Sequence, residues 1–146
     1  MLDSRSRLYP DSERTMGFDV SHRGLQIVLD AQVPAIVGRY LGEDVDGFLA
    51  GHGLTRDDVG WWVCHPGGPK VIDAVREALG LPEHAVALTR ASLRRIGNLS
   101  SASVLHVLDD TLRERPPTPG SHGVLLAMGP GFCSELVLLR ATEPLT

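Results

Sequence analysis

Residues 61–70 read WWVCHPGGPK, and the change of direction they encode decides the fold. Trp61 to Cys64 is an apolar run that reads as a buried strand, with His65 at its last position. Pro-Gly-Gly-Pro then interrupts it. The following stretch, GPKVIDAVREALG over 68–80, has apolar residues at helical intervals and a natural stop at Gly80. Strand, turn and helix therefore follow one another here, with an ionisable ring at the strand end and no side chains on the two residues that lead into the helix.

Outward from that unit the same alternation continues. GLQIVLD at 24–30 is a short apolar run with β-branched residues, and VPAIVGRYLGEDVDGFLAGHGL after it has helical periodicity. Pro34 suits the first turn of that helix, and Gly51-His52-Gly53 its end. NLSSASVLHVLDDTLRER reads as another helix with Leu105, Leu108 and Leu112 on one side, and Pro116 to Gly120 as a loop. GVLLAMG and SELVLLRA are apolar runs separated by Gly129-Pro130-Gly131-Phe132, an antiparallel pair with a glycine-rich turn, and Ser134 and Glu135 read as turn residues leading into the last strand. Strands alternating with helices predict an α/β domain. The unbroken apolar character of GVLLA and ELVLL predicts a mixed β-sheet covered by helices on both faces.

Composition sets the class. A chain of 146 residues, 42% hydrophobic and 22% charged, has the make-up of one globular domain with a real core. A net charge of -4 supplies no basic field, so nucleic acid is not expected as a partner. No apolar run approaches the roughly 18 residues needed to span a bilayer, and MLDSRSRLYPDSER lacks the apolar segment of a signal peptide. No membrane partner and a cytoplasmic location are expected. Cys64 and Cys133 form no CxxC, and the histidines at 22, 52, 65, 84, 106 and 122 show no ligand spacing, so neither a metal nor a structural disulfide is expected. Neither GxGxxG nor GxxxxGK[ST] occurs to indicate a nucleotide fold.

Three motifs could carry chemistry, and each also has a plain structural reading. His65 stands at a strand end before glycines that permit close backbone approach, where α/β proteins place ligands; on local features alone, capping the strand in a turn is the plainer reading. Neighbouring strand residues face opposite ways, so Cys64 reads as a small core residue and not as a nucleophile paired with His65. Asn98, in RRIGNLSSAS, stands at the mouth of a helix and could simply cap it by accepting from the amide of Ser100 or Ser101. Gly129 to Phe132 could be only a tight turn.

Taken together, HPGGPK, GNLSSAS and GPGF, in this order and spacing, resemble the closing half of the type III polyketide synthases, the chalcone synthase-like branch of the thiolase superfamily. LYPDSE followed by GLQIVLDAQVP extends the likeness, which runs from about Leu8 to Ala141. The resemblance implies that the whole chain, 1–146, is a C-terminal thiolase-like domain. It also implies that His65 and Asn98 are two members of a Cys-His-Asn triad. By the same likeness Gly67, Gly68, Pro69 and Lys70 lie along the path of the CoA arm, although Lys70 could equally be an exposed helix-start lysine. Ser100, Gly129, Gly131 and Phe132 would line the elongation cavity, and Ile27 falls where plant members carry a gatekeeping phenylalanine.

The implied chemistry is decarboxylative condensation of malonyl-CoA onto a starter delivered by an acyl-CoA. These CoA thioesters are substrates, and no permanently bound cofactor is expected. Negative charge develops on a thioester oxygen, and donors from His65 and Asn98 aimed at it would form an oxyanion hole, each worth about 2.7–4 kcal/mol of barrier. As an imidazolium, His65 would also lower the pKa of the triad cysteine. That cysteine belongs to the first half of family members, which are built from two thiolase halves and act as homodimers. Three expectations follow: part of a complete enzyme, one subunit of a split synthase, or an inactive remnant used for binding or dimerisation.

Overall fold

The computed structural model describes residues 1–143. Its strands are β1 (Asp3–Leu8), β2 (Met16–Ser21), β3 (Gly24–Leu29), β4 (Val59–Cys64), β5 (His122–Gly129) and β6 (Cys133–Arg140). Its helices are α1 (Val33–Ala50), α2 (Pro69–Leu79), α3 (Ala87–Ile96) and α4 (Ala102–Glu114). Four strands form one mixed sheet in the order β1-β6-β5-β4, in which only β4 and β5 run parallel, while β2 and β3 form a separate two-stranded ribbon.

The expected architecture is present, with helices on both faces of a mixed sheet. Strand alternation sends Val124, Leu126, Leu136 and Leu138 to one face, where they pack with Val37, Leu41, Val45 and Phe48 of α1 and Ile72 and Val75 of α2. Val63 and Leu125 point the other way, onto Val104 and Val107 of α4. Burying each such side chain contributes about 1.5–3 kcal/mol relative to leaving it in water. Trp61 lies flat over Gly123, its register partner in the parallel pair. A Cβ at 123 would fall 2.1 Å from the indole, so only glycine fits.

Helix ends follow their sequence signals. Pro34 occupies the first turn of α1, and Gly51 caps its end. Gly80 closes α2 in the left-handed region at φ 66°; its N–H donates to the Glu77 carbonyl, and the Leu81 N–H donates to Arg76. These two bonds make a Schellman stop, with buried Leu81 supplying its apolar contact.

Four readings need correction. α4 begins at Ala102, not at Asn98, and its buried residues are Ser103, Val104, Val107 and Thr111. Leu105 and Leu112, expected on the core side, are 61% and 52% exposed, so this leucine stripe lies largely outside the core. β1, β2 and α3 are additional to the elements expected. α3 buries Thr89 and Ser92 in place of apolar residues, which erases the periodicity that would have announced it. Ser134 and Glu135 lie inside β6, each paired across to β5.

Urea unfolding of single variants checks this partition. Leu126→Ala should cost about 2–5 kcal/mol by opening a cavity in the core. Leu105→Ala should change stability by less than about 0.5 kcal/mol, because its side chain is already in water.

Candidate active site

His65 leaves β4 still tied to the sheet, its N–H donating to the Leu126 carbonyl at 2.9 Å. The chain then turns at once. Gly67 N–H donates to the His65 carbonyl at 2.9 Å, closing a three-residue turn around Pro66, whose ring fixes φ in the range an inverse γ-turn needs. Gly68 caps α2 and accepts from Ile72 N at 3.0 Å. A Cβ built on Gly67 would meet His65 and Val71 at an ordinary contact distance of 3.6 Å, and one on Gly68 would meet nothing within 4 Å. The backbone at Gly68 therefore faces open space. Proline at 69 occupies the first helical turn, and Lys70 beside it is exposed. Lys70 borders a groove of about 600 Å³ between α1 and α2, lined also by Pro34, Gly38 and Glu77.

Asn98 joins this turn from the other side. Its carboxamide nitrogen donates to the Gly67 carbonyl at 3.2 Å, and its oxygen accepts from Ser100 N at 2.9 Å. Both ends of the amide are thus fixed, with the second N–H uncommitted among the described residues. The expected bond from the Ser100 amide is thus present, but it closes a turn ahead of α4, whose N-cap is Ser101 and not Asn98. Ser100 sits in the left-handed region at φ 57°, a strained conformation for a residue with a side chain. Two bonds hold it there: Ser103 N–H donates to the Ser100 carbonyl at 3.0 Å, and Leu99 N–H donates to the buried Ser103 hydroxyl at 2.6 Å. Sequence reading passed over Ser103; its only signal was a small polar residue at a buried helical position.

The electrostatics separate the ionisable groups. Burial pushes the His65 ring below its ordinary 6.5, and no carboxylate pairs with it among the described residues. Burial also pushes the Cys64 thiol up to about 12, in agreement with a core role for that residue. Cys133 is raised as well, by burial first and by Glu135 second. Both cysteines are free, and neither is poised to ionise near neutrality.

The remaining site residues form a second group. β5 runs past Leu126 to Gly129, so the turn Gly129–Phe132 leaves the sheet at the same end as His65. Gly131, at φ 122°, donates to Met16 at the start of the ribbon, 2.9 Å away. Ile27 lies on that ribbon opposite Phe18 and is 75% exposed. Phe132 departs from expectation. Its ring is fully buried against Tyr9, with centroids 5.7 Å apart, so it supports the turn from below and does not line open space.

The His65 shift has a consequence for stability. Unfolded His65 takes up its proton near 6.5, while the folded ring does so only at lower pH. Its contribution is therefore intact above 6.5 and is lost as pH falls from there through the folded value. Urea midpoints measured between about pH 5 and 8 should decline on the acid side in the natural chain and decline less in His65→Gln.

Comparison with known proteins matches residues 2–143 to "Chalcone and stilbene synthases, C-terminal domain". The 1,3,6,8-tetrahydroxynaphthalene synthase of Streptomyces peucetius subsp. caesius is 54% identical over 137 residues, covering 94% of this chain and 36% of that protein. A putative chalcone synthase of Bacillus subtilis is 36% identical over 94% of this chain and 38% of its own length. Among solved structures, the tetrahydroxynaphthalene synthase of Streptomyces coelicolor A3(2), a bacterial type III polyketide synthase, superposes with a TM-score of 0.90 at 30% identity. That match covers 97% of this chain and 40% of that one. The chain thus spans little more than a third of the length of the relatives it matches. It belongs to the chalcone and stilbene synthase family, and corresponds to the C-terminal domain of those enzymes.

Proposed function

We propose that this chain is the C-terminal, acyltransferase portion of a type III polyketide synthase, and that His65 and Asn98 are its oxyanion donors. The observation that carries the reading is the hydrogen bond from Asn98 to the Gly67 carbonyl, which brings the asparagine loop onto the turn that follows His65. The two loops meet beside the open backbone of Gly68, at one end of the sheet. Loss of carbon dioxide breaks the C–C bond of the malonyl thioester and leaves its electron pair as an enolate. The enolate carbon then attacks an enzyme-bound acyl thioester, forming the new C–C bond and releasing the thiolate. Charge sits on a thioester oxygen in both steps. The uncommitted N–H of Asn98 and a ring N–H of His65 stabilise it there. Asn98 has no acidic proton to quench the enolate before it condenses.

The nucleophilic cysteine comes from an N-terminal thiolase half, in cis or in trans. The raised thiols of Cys64 and Cys133 support this, since neither would supply a thiolate near neutrality, and this chain by itself is expected to be inactive. The neutral ring of His65 becomes an imidazolium only when that thiolate lies beside it, because an adjacent anion offsets the cost of burying the charge. In the same reading Gly67, Gly68, Pro69 and Lys70 border the CoA arm. Ser100, Ile27 and the backbone of Gly129 and Gly131 border the growing chain. The assembled enzyme is a cytoplasmic homodimer that takes CoA thioesters as substrates and keeps no cofactor or metal. No helix among the described residues is long and apolar enough to cross a membrane.

An inactive remnant serving as a binding or dimerisation module is the competing reading; the surface argues only against a chain that stands alone, and activity decides between the two. Phe18, Val20, Leu25, Ile27 and Leu29 lie on one face of the ribbon, and Leu99, Leu105 and Leu112 on or near α4, all at least half exposed. Faces of this kind on soluble chains mark interaction sites.

The test is co-expression with an N-terminal half that contains the reactive cysteine, followed by assay of carbon dioxide release from malonyl-CoA. Tetrahydroxynaphthalene is the first product to seek, given the Streptomyces relatives. His65→Ala and Asn98→Ala should each lower turnover by roughly 10²–10³-fold. Unchanged turnover in both would remove them from the mechanism, and full activity of the chain alone would refute the need for a second half.

A further inference from the structure

The turn between β5 and β6 is gripped by the segment that precedes the ribbon. Phe132 is held through both of its backbone polar groups. Its carbonyl accepts from Tyr9 N–H at 2.9 Å, and its N–H donates to the Ser12 hydroxyl at 3.1 Å. Ser12 is 5% exposed and passes its own proton to the Tyr9 carbonyl at 2.7 Å, so one buried hydroxyl serves a donor and an acceptor at once. One residue earlier, Gly131 donates to Met16, the first residue of β2. Side chains brace the grip from beneath. The Tyr9 ring lies between Phe132 and Tyr40, and its phenol donates to buried Asp44, which also pairs with Arg7. Gly131 holds φ 122°, a backbone conformation that residues with a side chain rarely adopt.

Residues 9–16 thus fasten the Gly129–Phe132 turn and the ribbon that carries Ile27 to one buried hydroxyl and its neighbours. We propose that Ser12 is a positioning residue for product length: it holds the turn and the ribbon as one wall, and the placement of that wall sets how far the acyl chain grows. This deepens the reading of the turn and of Ile27 as borders of the growing chain, and rests on it. Ser12 touches no reacting atom in this scheme; it acts through the backbone of Phe132. The hydroxyl is required because alanine would leave two buried groups, Phe132 N–H and Tyr9 C=O, each one partner short.

Two measurements on Ser12→Ala test the proposal. In the isolated chain, amide exchange at Phe132 should rise roughly ten-fold or more relative to the natural chain, while exchange at Val124 and Leu126 in the sheet core stays unchanged. In the enzyme assembled with an N-terminal half, the ratio of shorter to full-length products should increase while carbon dioxide release from malonyl-CoA keeps its rate. A folded variant, its core amides unmoved, in which carbon dioxide release falls together with total product overturns the positioning role. Unaltered exchange at Phe132 overturns the grip itself; altered exchange with an unaltered product ratio overturns its link to product length. Should alanine prevent folding, Ser12→Cys, close in size but weak as donor and acceptor, carries the same comparison. If the natural assembled enzyme releases no carbon dioxide, the site assignment fails, and exchange at Phe132 still decides the grip.

Discussion

Parallel pairing of β4 with β5 is the constraint from which the site follows. A parallel pair cannot be closed by a tight turn, so the chain between Cys64 and His122 must travel the length of the sheet and return. It does so through α2, which packs on one face, and α4, which packs on the other, passing around the free edge of β4 on the way. Thr89 of α3 meets that edge and donates to the Cys64 carbonyl at 3.3 Å. A crossover that changes faces must start and restart its helices near the end where β4 stops. The two breaks, at residues 65–68 and 97–101, are therefore brought within hydrogen-bonding range of each other, and the Asn98 amide spans them. β5, bound in register with β4, delivers its own turn to the same end.

The charge balance at that end differs from that of the remaining surface. Ion pairs such as Arg56–Asp46, Arg90–Asp73 and Arg95–Asp110 lie elsewhere on the surface, each with one partner well exposed to water, where such a pair contributes little to stability. Beside His65 no such pair occurs among the described residues, and the ring is held neutral by burial alone. A neutral ring in a half-buried turn is sensitive to any anion brought near it. Had an aspartate occupied the vicinity, the imidazolium would already be compensated and would respond less to an arriving thiolate or enolate.

What was legible in the sequence divides along physical lines. Strand, proline, glycines and helix around His65 could be read directly, because each break used a residue whose backbone limits are intrinsic. The hairpin at Gly129–Phe132 and the stop at Gly80 were legible for the same reason. β1 escaped because it is an edge strand of mostly polar residues, DSRSRL, with its side chains largely in water. α3 escaped because Thr89 and Ser92 fill positions where apolar residues announce a helix face. The α4 leucines misled in the opposite sense: periodicity reports that a face is apolar, not that this chain buries it. The Asn98–Gly67 bond could not be read at all, since its acceptor is a backbone carbonyl 31 residues away and carries no side-chain signature.

The distribution of rigidity runs in one direction. Beneath the open end, Ser12, Ser103, Asp44 and the Phe132 backbone are buried with their polar groups engaged. Above it the chain presents bare backbone at Gly68, a strained Ser100, one uncommitted N–H on Asn98 and an apolar ribbon in water. None of these upper features lowers the free energy of this chain by itself: strain at Ser100 costs about 1–3 kcal/mol, and exposed leucine and isoleucine forgo their burial. A fold whose engaged groups hold such an end in place has its geometry set before any ligand binds. Little reorganisation is then left to oppose binding, and that is the condition under which donors aimed at a developing oxyanion are most effective.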